Sequence, residues 1–186
     1  MNEDIVNYIK EHLSKERFLH SLGVREISRV FAKRYSLSPD RLEVAALLHD
    51  VGKEMPEESQ IDFLKESNIF LTDSDLECKG ILHAFAGAII ARDRFKIEDK
   101  EILNAIRYHP TGHPDFGLFE KVIFASDYLD PSRRLKGQKR ILKIAMNDID
   151  RGIIEIIREK LNYVISNGEF LHHLTIEFYN KLLRKS

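Results

Sequence analysis

Leu42-Glu43-Val44-Ala45-Ala46-Leu47-Leu48-His49-Asp50-Val51-Gly52-Lys53 is the segment from which the fold is read. A mostly apolar, helix-forming run meets a histidine and an aspartate where the helix should stop, with Gly52 expected as its left-handed terminus. An imidazole and a carboxylate side by side offer a nitrogen and an oxygen ligand for a metal ion. Alone, the pair is a weak signal. Its company strengthens it: His20 lies upstream on a helix-like segment, and His83, His109 and Asp127 follow, each on or at the end of another. Ligand-type side chains spread over separate helical pieces are the pattern of a metal site inside a helical core.

Helical spacing extends almost everywhere. Ile5, Ile9 and Leu13 recur every four residues. Ser14 is expected to cap a helix whose apolar face carries Phe18, Leu22, Ile27, Val30, Phe31 and Tyr35. Ser38-Pro39 reads as the N-cap and first residue of a third helix, and Pro56 opens a short fourth with Ile61 and Leu64. A fifth is expected over 75–95 and a sixth over 98–108. The stretch 109–117, His-Pro-Thr-Gly-His-Pro-Asp-Phe-Gly, has turn chemistry and reads as an ordered loop. Spacing then predicts helices over 118–129 and 134–165, a stop at Asn167-Gly168, and a last helix carrying Phe170, Leu171, Leu174, Phe178 and Leu182. No segment alternates with period two. The expected class is all-α: one domain over 1–186, with a metal-binding core at about 15–131 and a helical extension at about 132–186.

Composition excludes several functions. Hydrophobic residues make up 43% of the chain, enough for a sizeable core, and the formal net charge of −1 gives no general case for nucleic-acid or membrane binding. Arg133-Arg134-Leu135-Lys136 and Lys139-Arg140 are local basic stretches, read first as solvated helix faces. The single cysteine, Cys78, rules out an intrachain disulfide and fits a cytoplasmic location; no signal peptide or membrane span is visible.

Each candidate ligand has a plainer explanation. His20 and His83 sit among apolar neighbours, where a histidine is commonly a core-edge residue. His109, before Pro110, could cap a helix. Asp127 follows Val122-Ile123-Phe124-Ala125-Ser126, where an unpaired carboxylate would be costly and a partner is required. His12 reads as solvated, His172-His173 as structural, and Cys78 as an unreactive thiol.

The full pattern resembles the HD-domain metal-dependent phosphohydrolases and, more narrowly, the YqeK family of symmetrical bis(5′-nucleosyl)-tetraphosphatases. The matching pieces are Arg17-Phe18-Leu19-His20 with Gly23-Val24, the segment 45–53, His83 to Ala88, Ala105 to His109 with Thr111-Gly112, and Ser126 to Pro131 with Arg133. Phe178-Tyr179-Asn180 extends the match towards the end of the chain. The family usually has Thr at 110, Arg at 113, Ala at 126 and Glu at 130, where this chain has Pro, His, Ser and Asp.

The resemblance implies an HD-domain helical bundle that cleaves diadenosine tetraphosphate into two ADP, using a hydroxide generated at a dinuclear metal centre. The metals implied are two divalent or trivalent ions, iron in identity. Asp50 can bridge them, with His20, His49 and Asp127 completing one site and His83 and His109 the other. Lys53 joins Asp50 in the catalytic set and, with Thr111, Gly112, His113 and Arg133, is expected to contact the dinucleoside polyphosphate. Neither nucleic acid nor membrane is an expected partner, and a homodimer is left open. A phosphohydrolase acting on a mononucleotide or alarmone is the alternative; a di-iron oxygenase and an inactive binding module fit less well, since Lys53 and the basic residues favour phosphate.

Overall fold

Ser38 accepts the backbone N–H of Arg41 and Pro39 fills the first turn, so the chain enters α3 (Pro39–Leu48) without an unsatisfied start. Side-chain caps open several other helices in this computed structural model, which describes residues 2–184. α1 spans Asn2–His12, and Ser14 caps α2 (Lys15–Tyr35). α4 covers Glu57–Glu66, and Thr72 and Asp75 cap α5 (Asp73–Glu77) reciprocally. After a 3₁₀ turn at Lys79–Ile81 come α6 (Leu82–Phe95) and α7 (Lys100–Tyr108), the latter capped by Asp99. α8 (Leu118–Leu129) ends in a second 3₁₀ turn, Pro131–Arg133. α9 (Gln138–Asn147), α10 (Ile149–Ser166) and α11 (His173–Leu183) complete the chain. There is no strand among the described residues, and the all-α expectation holds.

α3 and α8 form the centre. Every residue from Leu42 to Leu48 and from Phe119 to Leu129 is buried, as for helices wrapped on all sides. Their apolar side chains belong to one continuous core that runs from Ile5 of α1 to Leu182 of α11. α4 docks separately, burying Leu64 against Leu82, Phe85 and Ile89. No helix among the described residues is long and apolar enough to cross a membrane.

Several local expectations fail. The helix expected over 134–165 is two helices: Asp148 is extended (φ −149°, ψ 108°) and its side chain accepts the N–H of Arg151, an N-cap in mid-pattern. Periodicity of apolar residues continues through such a corner and does not register it. The helix expected over 75–95 is likewise broken at Cys78 (φ −99°, ψ 49°). Phe170 and Leu171 precede α11, and Phe170 is exposed. Val30 faces outward from α2.

Gly52 is not a left-handed stop; the glycines with positive φ are Gly112, Gly137 and Gly168. Gly52 is instead set by close approach. A Cβ there would lie 2.5 Å from the His83 carbonyl and 3.1 Å from the Gly87 nitrogen, both on α6. The absent side chain lets the turn after α3 press against the start of α6, bringing Asp50 and His83 together. Gly52→Ala should therefore destabilise the fold by about 1–3 kcal/mol. Gly80→Ala, where an added Cβ meets nothing within 4 Å, should stay within about 0.5 kcal/mol of the parent. Urea unfolding midpoints of the two variants against the parent check this.

Candidate metal centre

His49 and His109 each occupy the position after the last residue of a helix, α3 and α7. Carbonyls in a helix's final turn lack intrahelical partners. The Nδ1–H of His49 donates to Ala46 O at 2.7 Å, and that of His109 to Ile106 O at 2.8 Å. His83, in the first turn of α6, uses the same spacing: its Nδ1–H donates to Gly80 O at 2.8 Å. These bonds assign the tautomer and leave Nε2 as the inward-facing lone pair. His20 lies inside α2, where the carbonyls are already occupied, so its Nδ1 bonds Asp130 Oδ2 instead, at 2.8 Å. Asp130 also accepts from the Ser132 hydroxyl and backbone N–H. Gly23 makes room for it, since a Cβ there would sit 1.9 Å from Asp130 Oδ1.

The four Nε2 atoms converge. His20 and His49 approach to 3.2 Å, and His83 and His109 to 3.3 Å. Asp50 stands between the two pairs. Its Oδ2 is 3.8 Å from His20 Nε2 and 3.7 Å from His49 Nε2; its Oδ1 is 3.1 Å from His83 Nε2 and 3.5 Å from His109 Nε2. Asp127 Oδ1 joins the first pair, 3.0 Å from His20 Nε2 and 3.7 Å from His49 Nε2. All six expected ligands are thus brought together and are buried. His20, His49 and Asp50, and Asp50, His83 and His109, form two groups of suitable spacing to hold a metal ion. Imidazole lone pairs facing one another around carboxylates would repel or stay unpaired without a cation, so the donor set fits divalent metal.

Electrostatics divides the histidines. Burial drives His49 and His83 down to about 4, leaving both neutral and able to ligate. Burial acts in the same direction on His20, but hydrogen bonds to Asp127 and Asp130 overcome it and raise its pKa to about 9. Burial would raise Asp50 and Asp127, yet the surrounding histidines and, for Asp127, Arg133 hold both well below the usual carboxylate range.

Cations ring the centre. Arg17 Nη1 lies 3.1 Å from Asp50 Oδ2 and Arg133 Nη2 2.9 Å from Asp127 Oδ1. Lys53 reaches Gly80 O at 3.4 Å and lies 3.1 Å from His83 Nδ1. Because that Nδ1–H already donates to Gly80 O, the ammonium lacks a strong acceptor and can take a phosphate oxygen. Lys160 of α10, half-buried, donates to Pro110 O at 2.7 Å. Sequence reasoning gave no role to Arg17, Asp130 or Lys160. Only Asp130, three residues after Asp127 and before a proline, carried a local hint.

The expected loop contacts divide. Thr111 is buried two residues beyond His109, with its hydroxyl donating to Gly112 O. Gly112 has φ +71°, and a Cβ would meet the Phe178 ring at 2.2 Å; its N–H is taken by Tyr108 O at 2.7 Å. Its place is conformational, with no N–H to spare for phosphate. His113 turns away, packing on Tyr108 and Phe116 beside a separate small cleft. His172 caps α11 and bonds Asp75 at 3.2 Å, while His12 stacks on Tyr8 at the surface.

Residues 17–132, which contain all six converging side chains, match the model of the HD domain. The chain belongs to the HD-domain family. It is 32% identical over 94% of its length to a protein of Halalkalibacterium halodurans named bis(5′-nucleosyl)-tetraphosphatase, symmetrical, covering 93% of that protein. A Bacillus subtilis protein of the same name is 30% identical, over 99% of this chain and 98% of its own. The crystal structure of a Clostridium acetobutylicum protein, described as a predicted HD superfamily hydrolase involved in NAD metabolism, superposes with a TM-score of 0.96 at 34% identity, covering 100% of this chain and 98% of that one. The resemblance read from the motifs holds over nearly the whole length.

The raised pKa of His20 gives a pH signature. Chelator-treated protein should keep the full stability contribution of this imidazolium below about 6.5, its unfolded value, and lose it as pH rises through about 9. Metal uptake at neutral pH should release a proton from His20, so calorimetric titration with Mn²⁺ in buffers of different ionisation enthalpy should report release of about one proton. A binding enthalpy independent of buffer would contradict the assignment.

Proposed function

We propose that this chain hydrolyses diadenosine tetraphosphate symmetrically, giving two molecules of ADP, at a centre of two metal ions held by His20, His49, Asp50, His83, His109 and Asp127. The observation that carries the reading is similarity over nearly the full length to relatives named as symmetrical tetraphosphatases. The site supports it: the two oxygens of Asp50 face different histidine pairs, as a bridging carboxylate requires. His20, His49 and Asp127 complete one site, His83 and His109 the other. Iron is the metal of this reading, and imidazole and carboxylate suit it. When bound, such ions activate a water and offset charge on the phosphoryl oxygens.

The protein's own groups then have distinct tasks. Asp130 orients His20, and the carbonyls of Ala46, Gly80 and Ile106 orient the other imidazoles. Arg17 and Arg133 point at the carboxylate oxygens that would ligate metal. With those oxygens committed to a metal, the two guanidinium groups would be free to turn to substrate phosphate, where a forked contact is favourable. Lys53 supplies a point charge. Choice of the central phosphoanhydride rests on where these groups hold the chain of phosphates relative to the centre. The lone cysteine accords with the cytoplasmic location this reading includes.

Chromatography of the products from diadenosine tetraphosphate should show ADP alone; ATP plus AMP, or reaction only with mononucleotides, would refute the reading. Asp50→Ala should abolish turnover and lower the content of both metals, whereas His83→Ala should weaken one preferentially. Lys53→Ala and Arg133→Ala should retain metal while losing about ten- to hundredfold in kcat/KM. Elemental analysis of the same preparations separates metal loss from substrate contact.

A further inference from the structure

A cavity of about 510 Å³ lies directly beside the histidine cluster. It opens between the 77–81 segment, Pro110-Thr111, the C-terminal turns of α10 and the 169–172 connection. Its volume is within the range of small-molecule sites, about 300–1,000 Å³. It shares walls with the metal centre: Gly80 lines it while accepting the Nδ1–H of His83, and Thr111 lines it two residues past His109.

Its chemistry is polarised. Lys160 lines it too, held under Pro110 and 4.8 Å from the centre of the Phe124 ring. Burial lowers this lysine to about 8, opposed by the nearby carboxylate of Asp127. Its other lining residues include the charged Glu77, Lys79 and Glu169 beside the apolar Ile81, Leu171 and Phe170, the last 65% exposed. A half-buried cation near the hydrolytic centre and an uncovered aromatic in the same cavity are the two contacts a nucleotide needs, one for phosphate and one for the base. A second cavity, about 460 Å³ and lined by Arg17, His20 and Arg133, offers arginines and the aliphatic Leu19 and Leu135 but no aromatic besides His20 itself.

Resting on the tetraphosphatase reading, we infer that the cavity beside Gly80 and Thr111 seats the nucleoside of one substrate half, its base stacked on Phe170 and its phosphate directed to Lys160. The other half is held on the Arg17 and Arg133 side chiefly through phosphate. Stacking on one exposed ring discriminates little among bases, since every base offers a π face.

The chain has no tryptophan, so a Phe170→Trp variant carries a single reporter. ADP should quench its fluorescence saturably, while pyrophosphate and ribose 5-phosphate leave it unchanged. Absence of quenching by ADP overturns the seat, whatever the parent does to diadenosine tetraphosphate. Quenching by ADP in a protein whose parent yields no ADP from that substrate upholds the seat and refutes only the activity. In steady-state kinetics, Phe170→Ala should raise KM for diadenosine tetraphosphate about tenfold, with kcat within about twofold, and Phe170→Tyr should restore it. An unchanged KM in Phe170→Ala overturns the stacking.

Discussion

His49, His83 and His109 share one local device: each ring donates its Nδ1–H to the carbonyl three residues before it. The device works only near a helix end, where that carbonyl is not already held by the ladder. It fixes the tautomer, aims Nε2 inward and prevents the ring from rotating. A histidine in mid-helix cannot use it, and His20 instead depends on a buried carboxylate from a distant turn. Convergence of the four rings therefore requires that α3, α6 and α7 end or begin at the same point in the core, with α2 passing alongside. The glycines at 23 and 52 are the packing conditions for that arrangement, one admitting Asp130 and the other admitting the start of α6.

Two carboxylates beside these rings are costly to bury unless paired. Asp50 and Asp127 are held ionised by histidines and by two arginines that approach from the surface. The arrangement favours cations strongly, and the surrounding Lys53 and Lys160 keep the approach to it positive although the whole chain is nearly neutral. Local field, rather than net charge, determines what such a site attracts.

The C-terminal helices are part of this construction. α10 delivers Lys160 to the loop after α7, and Phe178 of α11 fills the space that Gly112 leaves open while packing on Phe116 and Phe124. The loop that follows His109 is thus braced by residues fifty or more positions away. Loop 109–117 is ordered by that contact as much as by its own prolines and glycines.

The sequence by itself determined the helical class, because apolar spacing near 3.6 residues and the caps at Ser14, Ser38 and Gly168 are local properties. It also marked all six converging side chains, since a metal site needs particular ligand types and these stand out in apolar helices. Tertiary structure decided what local pattern does not encode. It broke the expected helices at Cys78 and Asp148, where backbone turns interrupt an apolar rhythm that simply continues. It turned His113 towards Tyr108 and Phe116, away from the centre. It brought Arg17, Asp130 and Lys160 to the site, though lysines and arginines on helices ordinarily face solvent. A ligand announces itself by chemistry that is rare in a core; a supporting charge becomes recognisable only when packing closes over it.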